Sequence, residues 1–478
     1  MRRALGSLAL AALAACSSEP LRPPAVPVVA QYTAGAVAED RLAPGRDIPA
    51  QWWTLFRSPA LDALVRRSLD NSPTLARVQA RLRQAEEDLG ARSGATLPRV
   101  DARLSANRID VDPQSVGVPL PVAMPLDLYL ASVSVSYTFD FAGGTRRELE
   151  GLRAEVDHQA YELEAARLML AGNVVTTAIR EASLREQLAQ GEAIVALQAR
   201  QLVIAQRMEE LGGAARLDVL AQQRELAQAR ATLPDLRRDL ERMRHRLAVY
   251  AGLPPAAPDL PVFRLSELQL PDPLPLSLPS QLARQRPDIR AAEAVLARAG
   301  AQVGVATAHL YPQLTLSAQL GTLSTSGDGL FGAGTGFSIL GASLVQPLFR
   351  GGELQARRRA AIAAYEQAGA AYQEAVLQGF QNVADALRAL EADAARFSER
   401  TDAVGRARGY CDILAARLQA GGVSQAALLE ATRHYHRALQ EQAQAAADRY
   451  ADSAALLQAL GGGWWQQAER DRSRPVLP

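Results

Sequence analysis

Five histidines and two cysteines are the residues of this chain whose side chains most often do chemistry. His434 and His436 stand two apart, so on a helix they point to different faces and do not form a metal pair. His158, His245 and His309 are ordinary residues of predicted helix surfaces or loops. The sequence holds no G-x-S-x-G, H-E-x-x-H or P-loop motif. We therefore expect no enzyme activity, no metal site and no bound cofactor.

The first cysteine lies in a processing signal. A basic start and a short apolar run are typical of a secretory signal peptide, here residues 1–15. Leu13-Ala14-Ala15-Cys16 resembles the bacterial lipobox, in which the cysteine receives a diacylglycerol and an N-acyl chain. The resemblance implies a lipid anchor at Cys16, and Ser17 in place of Asp implies the outer membrane. Cys411 is left without a disulfide partner and is expected to be a small apolar residue on a helix.

Composition favours long helices. The 478 residues are 48% hydrophobic but only 5% aromatic, with abundant Ala, Leu, Gln, Glu and Arg. Basic and acidic residues number 52 and 51. A nucleic-acid-binding protein would be clearly basic, so that class of partner is not expected.

The chain contains one pattern twice. Residues 71–105 align with residues 285–319 without a gap, at an offset of 214. In each copy a helical pattern starts at a proline and stops at a proline, and the apolar period then changes from 3.6 to 2 residues. A second offset of 209 aligns Gly252 with Gly461. We expect an ancient duplication of a half-molecule, with two structural repeats in one chain.

Each repeat is predicted to contain two amphipathic strands, a very long helix and a returning helix. The strands are about ten residues long, as membrane barrel strands are, although a soluble hairpin shows the same alternation. A helix of nearly 70 residues would reach about 100 Å at 1.5 Å per residue. Pro234 should interrupt the first returning helix and kink it. The predicted organisation is a lipidated extended segment (16–50), a first repeat (51–252; strands about 99–109 and 130–141, helices about 145–211 and 217–251), a connector in an equatorial region (253–284), a second repeat (285–462; strands about 312–322 and 336–349, helices about 353–420 and 424–460) and a tail (463–478).

Four strands cannot close a membrane barrel, and open sheet edges do not survive in lipid. We therefore expect the chain to share a barrel with other copies. Three chains give twelve strands under closed symmetry. The predicted fold class is mainly α with a membrane β-barrel part, in which a homotrimer forms a 12-strand barrel continued by a long periplasmic α-helical barrel.

Several motifs stand out in the sequence, namely the lipobox, QWWTLFRSPALDALVRRSLDNSPTL, LPDLRRDLERMRHRLAVYAGLPP, QRPDIRAAEAVLARAGAQVGVATAHLYPQLTLSA and ALGGGW. Together they resemble the TolC-type outer-membrane efflux channels, and within them the OprM/NodT lipoprotein branch. The resemblance covers nearly all of the mature chain. It implies a homotrimer in the outer membrane of a Gram-negative bacterium, lipid-anchored, with its helical part in the periplasm and in contact with a periplasmic adaptor and an inner-membrane RND-type pump.

The family keeps its channel shut at the periplasmic tip, and the resemblance carries this role to three residues. They are Asp218, Arg408 and Asp412, of which the last two share one helix face. An Asp–Arg contact is bidentate and suits a latch, whereas three copies of an aspartate around an axis attract cations. The alternative is an ordinary solvated helix pair. Candidates for contact with the adaptor lie beside them, namely Gly212, Gly213, Arg417, Gly421 and Gly422.

The expected function is that of a passive outer-membrane channel that exports drugs or other toxic small molecules in a tripartite efflux system. Two alternatives stay open. The same scaffold could serve type I protein secretion, or the chain could be a lipid-anchored periplasmic coiled-coil spacer. A spacer would contain no membrane-spanning strands. The four amphipathic segments argue against this alternative.

Overall fold

The computed structural model describes residues 25, 29–35, 42–110, 125–257 and 259–466. The predicted signal peptide, Cys16 and the end of the predicted tail lie outside the described residues. The elements in chain order are β1 (Leu42–Pro44), α1 (Pro59–Asn71), α2 (Pro73–Gly94), β2 (Arg99–Ile109), β3 (Leu126–Phe139), α3 (Gly144–Glu210), α4 (Arg216–Tyr250), β4 (Leu274–Leu276), α5 (Pro279–Gln285), α6 (Pro287–Ala308), β5 (Gln313–Ser324), β6 (Gly336–Val345), α7 (Glu353–Gln419) and α8 (Gln425–Ala459).

The elements themselves repeat. Helices α2 and α6 have 22 residues each, α3 and α7 have 67 each, and α4 and α8 have 35 each. The same lengths recur because the same start and stop signals recur. Pro73 and Pro287 open α2 and α6, where a missing N–H costs nothing. Glycines with positive φ end both long helices.

The chain divides into two compact units, which we call the sheet unit and the helix unit. The sheet unit contains Arg83–His158 and Ala292–Gln373. The helix unit contains Pro27–Leu82, Gln159–Ala291 and Glu374–Pro478. No helix among the described residues is both long enough and apolar enough to span a membrane.

Four antiparallel strands form the sheet of the sheet unit, in the order β2-β3-β5-β6. The register sets Val133 opposite Ala102 on one side and opposite Leu320 on the other. Side chains alternate between the two faces of a strand, so this register joins apolar positions of β2, β3 and β5 into one face. β6 adds Leu340, Ala342 and Leu344 to that face, whereas its Phe337 and Ile339 lie on the other face. On the other face Gln319 donates a hydrogen bond to Ser132 at 3.0 Å. The sheet therefore has one apolar and one polar face.

The core of the helix unit surrounds the aromatic residues that precede α1. Trp52 and Phe56 are almost fully buried, and the Trp53 indole N–H donates to Asp62 at 2.9 Å. The Trp464 indole N–H donates to the Gln285 carbonyl at 2.7 Å, which holds the end of the described chain on the same core. The tryptophan motifs at both ends of the sequence therefore serve one core.

Each repeat closes in the same way. Gly252 follows α4 with φ of 71°, and a Cβ there would lie 2.5 Å from the Asn71 carbonyl oxygen. Gly461 follows α8 with φ of 94°, and a Cβ there would lie 2.4 Å from the Gln285 carbonyl oxygen. Only glycine fits such a conformation at such a distance. The end of each repeat thus rests on the chain just before a proline-started helix.

Three details differ from the sequence predictions. β3 begins at Leu126 rather than at 130, and β6 ends at Val345 rather than at 349. Pro347 has no N–H to give to a ladder, which accounts for the early end of β6. The expected interruption at Pro234 was wrong, because α4 is continuous through it. Because Pro234 has no N–H, the carbonyl of Arg230 has no hydrogen-bond donor within the helix. Both residues are exposed, so water can donate to that carbonyl.

The predicted connector contains structure of its own. β4 pairs in parallel with β1, with Leu42 opposite Leu274. Helix α5 follows at the end of the connector and carries the fully buried Leu282. Both elements belong to the helix unit, so this segment contributes to the core rather than only linking the repeats.

Candidate functional site

In each repeat a glycine turn connects the long helix to its returning helix. Gly212 and Gly421 have φ of 72° and 73°. The Gly213 N–H donates to the Met208 carbonyl at 2.7 Å, and the Gly422 N–H donates to the Arg417 carbonyl at 2.8 Å. These are Schellman-type closures, in which a left-handed glycine lets the chain reverse. The two turns are therefore the same structure in both repeats.

Asp218 lies in the first turn of α4. Its carboxylate accepts the backbone N–H of Ala215 at 2.9 Å, and its side chain is exposed. The contact is half of a capping box, since Ala215 has no side-chain acceptor to return the bond. A carboxylate at a helix N-terminus is also favoured by the helix dipole. Within one chain Asp218 therefore stabilises its own helix.

Arg408 and Asp412 lie in the last third of α7, and both are exposed. Among the described residues neither makes an ion pair, either with the other or with Asp218. Asp412 acts on its neighbour Cys411, whose thiol pKa is raised by burial and by that negative charge. The chain on its own therefore leaves both predicted gate residues of α7 available.

The returning helix of the second repeat packs between both long helices. Gln187 of α3 donates to Gln444 of α8 at 2.9 Å, and its carbonyl accepts the amide of Gln440 at 2.8 Å. On the other side of α8, Glu441 accepts from Arg400 of α7 at 2.5 Å. Sequence reasoning missed this ladder of polar contacts, because glutamines spaced along a helix give no signal of their own.

Among the described residues, the ion pairs that join the first returning helix to another helix all go to α3. Arg237 of α4 donates to Glu192 of α3 at 2.8 Å, and Arg244 lies 3.6 Å from Glu181 of α3. Among the hydrogen bonds and ion pairs of the part of the chain that the structure describes, none joins α4 to α7. The helix neighbours therefore run α4, α3, α8, α7. The predicted gate residues lie on the two outer helices of this row.

Buried apolar residues recur along α4 at a heptad spacing. The buried residues Val219, Leu226, Leu233, Leu240 and Leu247 follow one another at intervals of seven. One fully buried apolar residue per heptad makes a narrow seam, and the half-buried Leu236 and Met243 lie three residues after Leu233 and Leu240. The sequence analysis did not identify this seam.

Two buried carboxylates lie away from the turns. Glu181 is fully buried, forms ion pairs with Arg185 and Arg244, and accepts the backbone N–H of Phe263 at 3.2 Å. Asp393 of α7 is 2% exposed. Burial, together with the hydrogen bond to Asp452 of α8, raises the pKa of Asp393 to about 7. Spacing could not reveal the burial of either group, since Arg244 and Phe263 reach Glu181, and Asp452 reaches Asp393, from far away in the sequence.

The histidines make side-chain contacts rather than clusters. His434 lies 3.0 Å from Glu430, and His436 lies 2.6 Å from the Gln190 amide oxygen. Within the described ranges no group of His, Cys, Asp or Glu side chains has the arrangement of a metal site.

Comparison with known proteins gives the family. A sequence profile of the family described as "Outer membrane efflux protein" matches residues 64–253 and 278–462. The chain is 31% identical over 421 residues to the pyoverdine export outer membrane protein OpmQ of Pseudomonas aeruginosa, covering 87% of each. It is 28% identical to the toluene efflux pump outer membrane protein TtgF of Pseudomonas putida, covering 96% of each. Among solved structures, the outer-membrane channel OprN superposes with a TM-score of 0.83 at 27% identity, covering 94% of this chain and 99% of OprN.

These findings confirm the predicted family resemblance, the fold class of TolC-type channels, the outer-membrane location and the role in efflux. The identity of this protein as a component of an outer-membrane efflux system therefore rests on sequence, repeat structure and fold together. The chain belongs to the outer membrane efflux protein family.

Proposed function

We propose that the chain acts as a passive homotrimeric conduit in which four strands from each copy close one twelve-stranded barrel. The observation that carries the proposal is the sheet. Among the described residues, β2 and β6 each pair with a strand on one side only. An unpaired edge is costly in lipid, and joining β6 of one copy to β2 of the next satisfies every edge. The apolar face then meets lipid and the polar face lines water.

The test is a cysteine cross-link between edge strands. In a Cys411→Ser background, Ser105→Cys on β2 is combined in turn with Phe337→Cys, Ile339→Cys and Gly341→Cys on β6, which occupy the same polar face by register. Oxidation in membranes should give covalent dimers and trimers for one pairing. The control pairs Ser105→Cys with a cysteine at exposed Arg77, in the helix unit. A purified particle with the mass of one chain, and no cross-link at any pairing, would refute the shared barrel.

We propose further that Cys16 carries the diacylglycerol and N-acyl chains, so that the channel is lipid-anchored as well as inserted. This rests on the lipobox-like sequence alone. Intact-mass measurement of the mature chain should show the lipid mass, and Cys16→Ser should remove it. A mature chain that begins elsewhere without added mass would contradict the anchor.

We propose that the predicted gate forms between neighbouring protomers. Because α4 and α7 are the outer helices of the row, a contact from Asp218 to Arg408 is available across the boundary between two protomers. The exposure of Arg408 and Asp412 supports this arrangement. Asp218→Ala should raise the conductance of single channels in planar bilayers. Asp402→Ala, on exposed α7 surface and paired with Arg406 at 3.4 Å, is the matched control. Equal conductance of all three proteins would refute the latch.

The turns are the proposed surface for a periplasmic adaptor, which would connect the channel to an inner-membrane RND-type pump. Gly212, Gly213, Gly421 and Gly422 form them, and Arg417 is exposed beside the second turn. Relatives of this chain export pyoverdine and toluene, so small molecules are the proposed cargo, and the channel itself catalyses no reaction. The observed strands oppose the spacer alternative, and the efflux relatives favour export of small molecules over type I protein secretion.

A further inference from the structure

A cavity of about 580 Å³ lies in the sheet unit, where the strands join the helices. We call it the junction cavity. It lies at the base of β2 and β3 and against the first turns of α3. Its volume is that of a site for a small organic ligand. Its lining includes Tyr137, Phe139, Asp140, Glu148 and the arginines Arg92, Arg99, Arg146 and Arg153.

The carboxylates of the junction cavity are already engaged. Asp140 accepts the backbone N–H groups of Thr145 and Arg146 at 3.1 and 2.8 Å, which caps α3. Glu148 accepts from Arg92 at 2.5 Å. This contact is the largest cause of the raised pKa of Arg92. Glu148 is thus paired with Arg92, the carboxylate of Asp140 is held by backbone N–H groups, and the two acidic groups face four arginines.

Three arginines of the cavity remain without an acidic partner. Arg99, Arg146 and Arg153 make no ion pair with any of the residues that the structure describes, and all three are exposed. Arg99 is opposite Ser136 on the polar face of the sheet, away from Tyr137 and Phe139, which leaves Arg146 and Arg153 for a ligand from the lipid side. Arg146 and Arg153 are seven apart on α3, so they lie on one face of the helix. The chain as a whole is nearly neutral, so this excess of positive charge is local.

Aromatic rings adjoin the cations. Tyr137 and Phe139 meet edge to face at 4.8 Å, and Phe139 stacks on Phe141 at 5.5 Å. Phe141 is 70% exposed, and on the second hairpin Phe349 is 89% exposed. Exposed aromatic rings at the end of an apolar sheet face are typical of the level where a bilayer changes from acyl chains to headgroups. Cations just beyond that level lie at the depth of the phosphates.

The geometry points to a binding site for an anionic phospholipid headgroup of the periplasmic leaflet in the junction cavity. Guanidinium groups bind phosphate oxygens in a bidentate manner, and the aromatic rows border the acyl chains. The inference rests on the proposed barrel, because it needs the apolar face to be in lipid. Lipopolysaccharide is not the expected ligand, because the cavity is at the helix end of the sheet.

The experiment titrates phosphatidylglycerol or phosphatidylcholine into the delipidated, full-length trimer and counts bound lipids by native mass spectrometry. The test variant is Arg146→Gln with Arg153→Gln. The control variant is Arg77→Gln with Arg230→Gln, which removes the same charge from exposed positions of the helix unit. Each arginine near a membrane surface is worth about fivefold in affinity for an anionic lipid, so the test variant should lose phosphatidylglycerol affinity by about 30-fold. The control variant should bind as the wild type does.

Equal binding of the two lipids, or equal loss in the test and control variants, would overturn the inference. Displacement of phosphatidylglycerol by millimolar inorganic phosphate would also overturn it, because the site would then recognise a free anion. If the test variant bound lipid normally but lost its trimer, the arginines would serve contacts between copies instead. Arg146→Lys with Arg153→Lys keeps the charge but loses the bidentate geometry, so it should bind phosphatidylglycerol more tightly than the Gln variant and less tightly than the wild type. A wild-type chain that fails to form a trimer refutes the proposed barrel itself, which separates the two failures.

Discussion

Asp393 should make the packing of α7 on α8 depend on pH near neutrality. One of its oxygens is 3.0 Å from Arg396. The other oxygen is buried and, when the carboxyl is ionised, has no hydrogen-bond donor among the described residues. The negative charges of Asp452 and Asp448 act on it from α8. A proton shared with Asp452 satisfies this oxygen, and the raised pKa follows from that arrangement.

The magnitude follows from linkage. The pKa of Asp393 rises from an ordinary 3.8 to about 7 in the folded chain. Between these values the packed state holds a proton that the opened state releases. The stabilisation is therefore complete below 3.8 and is lost as the pH rises through 7. The equilibrium constant for local opening should increase by up to about tenfold per pH unit within that window, and by about 50-fold from pH 5 to pH 7, because the carboxyl is already half ionised in the packed state at pH 7.

Hydrogen exchange followed by mass spectrometry measures this opening. Peptides covering residues 388–398 and 446–456 should lose protection from pH 5 to 7, after correction for the intrinsic exchange rate, and change little above pH 7. Asp393→Asn should remove the dependence, because an amide donates to Asp452 without titrating. Asp385→Asn, on an exposed position of the same helix, is the control and should keep the wild-type slope. A flat wild-type profile, or an unchanged slope in Asp393→Asn, would refute the shared proton.

Three further predictions concern closure, a buried ion cluster and the gate. Gly461→Ala should lower the free energy of unfolding in guanidinium by about 2 kcal/mol or more, since a left-handed alanine and a backbone clash both cost energy. The control Gly405→Ala, in open space on a helix, should raise the free energy of unfolding by about 0.5–1 kcal/mol. Equal effects of the two substitutions would contradict the role of Gly461 in closing the repeat. Glu181→Gln should cost about 1–3 kcal/mol in the same assay, because two arginines lose their buried partner, whereas the exposed pair partner Glu192→Gln should cost under about 1 kcal/mol. Asp412→Ala should lower the cation-to-anion permeability ratio in planar bilayers, and an unchanged ratio would remove Asp412 from the constriction.

The long elements could be read from the sequence because their signals are local. Prolines at helix starts, glycines at helix ends and an apolar period of 2 or 3.6 depend only on neighbouring residues. The long helix predicted at 145–211 is observed at Gly144–Glu210. Repetition of the whole pattern made each element easier to identify in the other copy.

The contacts between elements could not be read in the same way. The polar ladder between α3 and α8 joins Gln187 to residues about 250 positions later. Glutamine is a common surface residue of helices, so its partners become visible only in the folded chain. Asp393 looked like one of many helical acids until the structure placed it against Asp452. The continuity of α4 through Pro234 depends on exposure, which the sequence does not report.

The pairing of β3 with β5 has a consequence for biogenesis. Tyr129 pairs with Ser324, a partner about 200 residues further along the chain. The central ladder of the sheet therefore cannot form until the whole first repeat, the connector and the first strand of the second repeat have been synthesised and exported. During that interval the first hairpin has an apolar face and unpaired backbone groups, a combination that invites aggregation. Long loop closures of this kind also slow folding. The chain should consequently depend on periplasmic holding chaperones for longer than a barrel built from successive hairpins does.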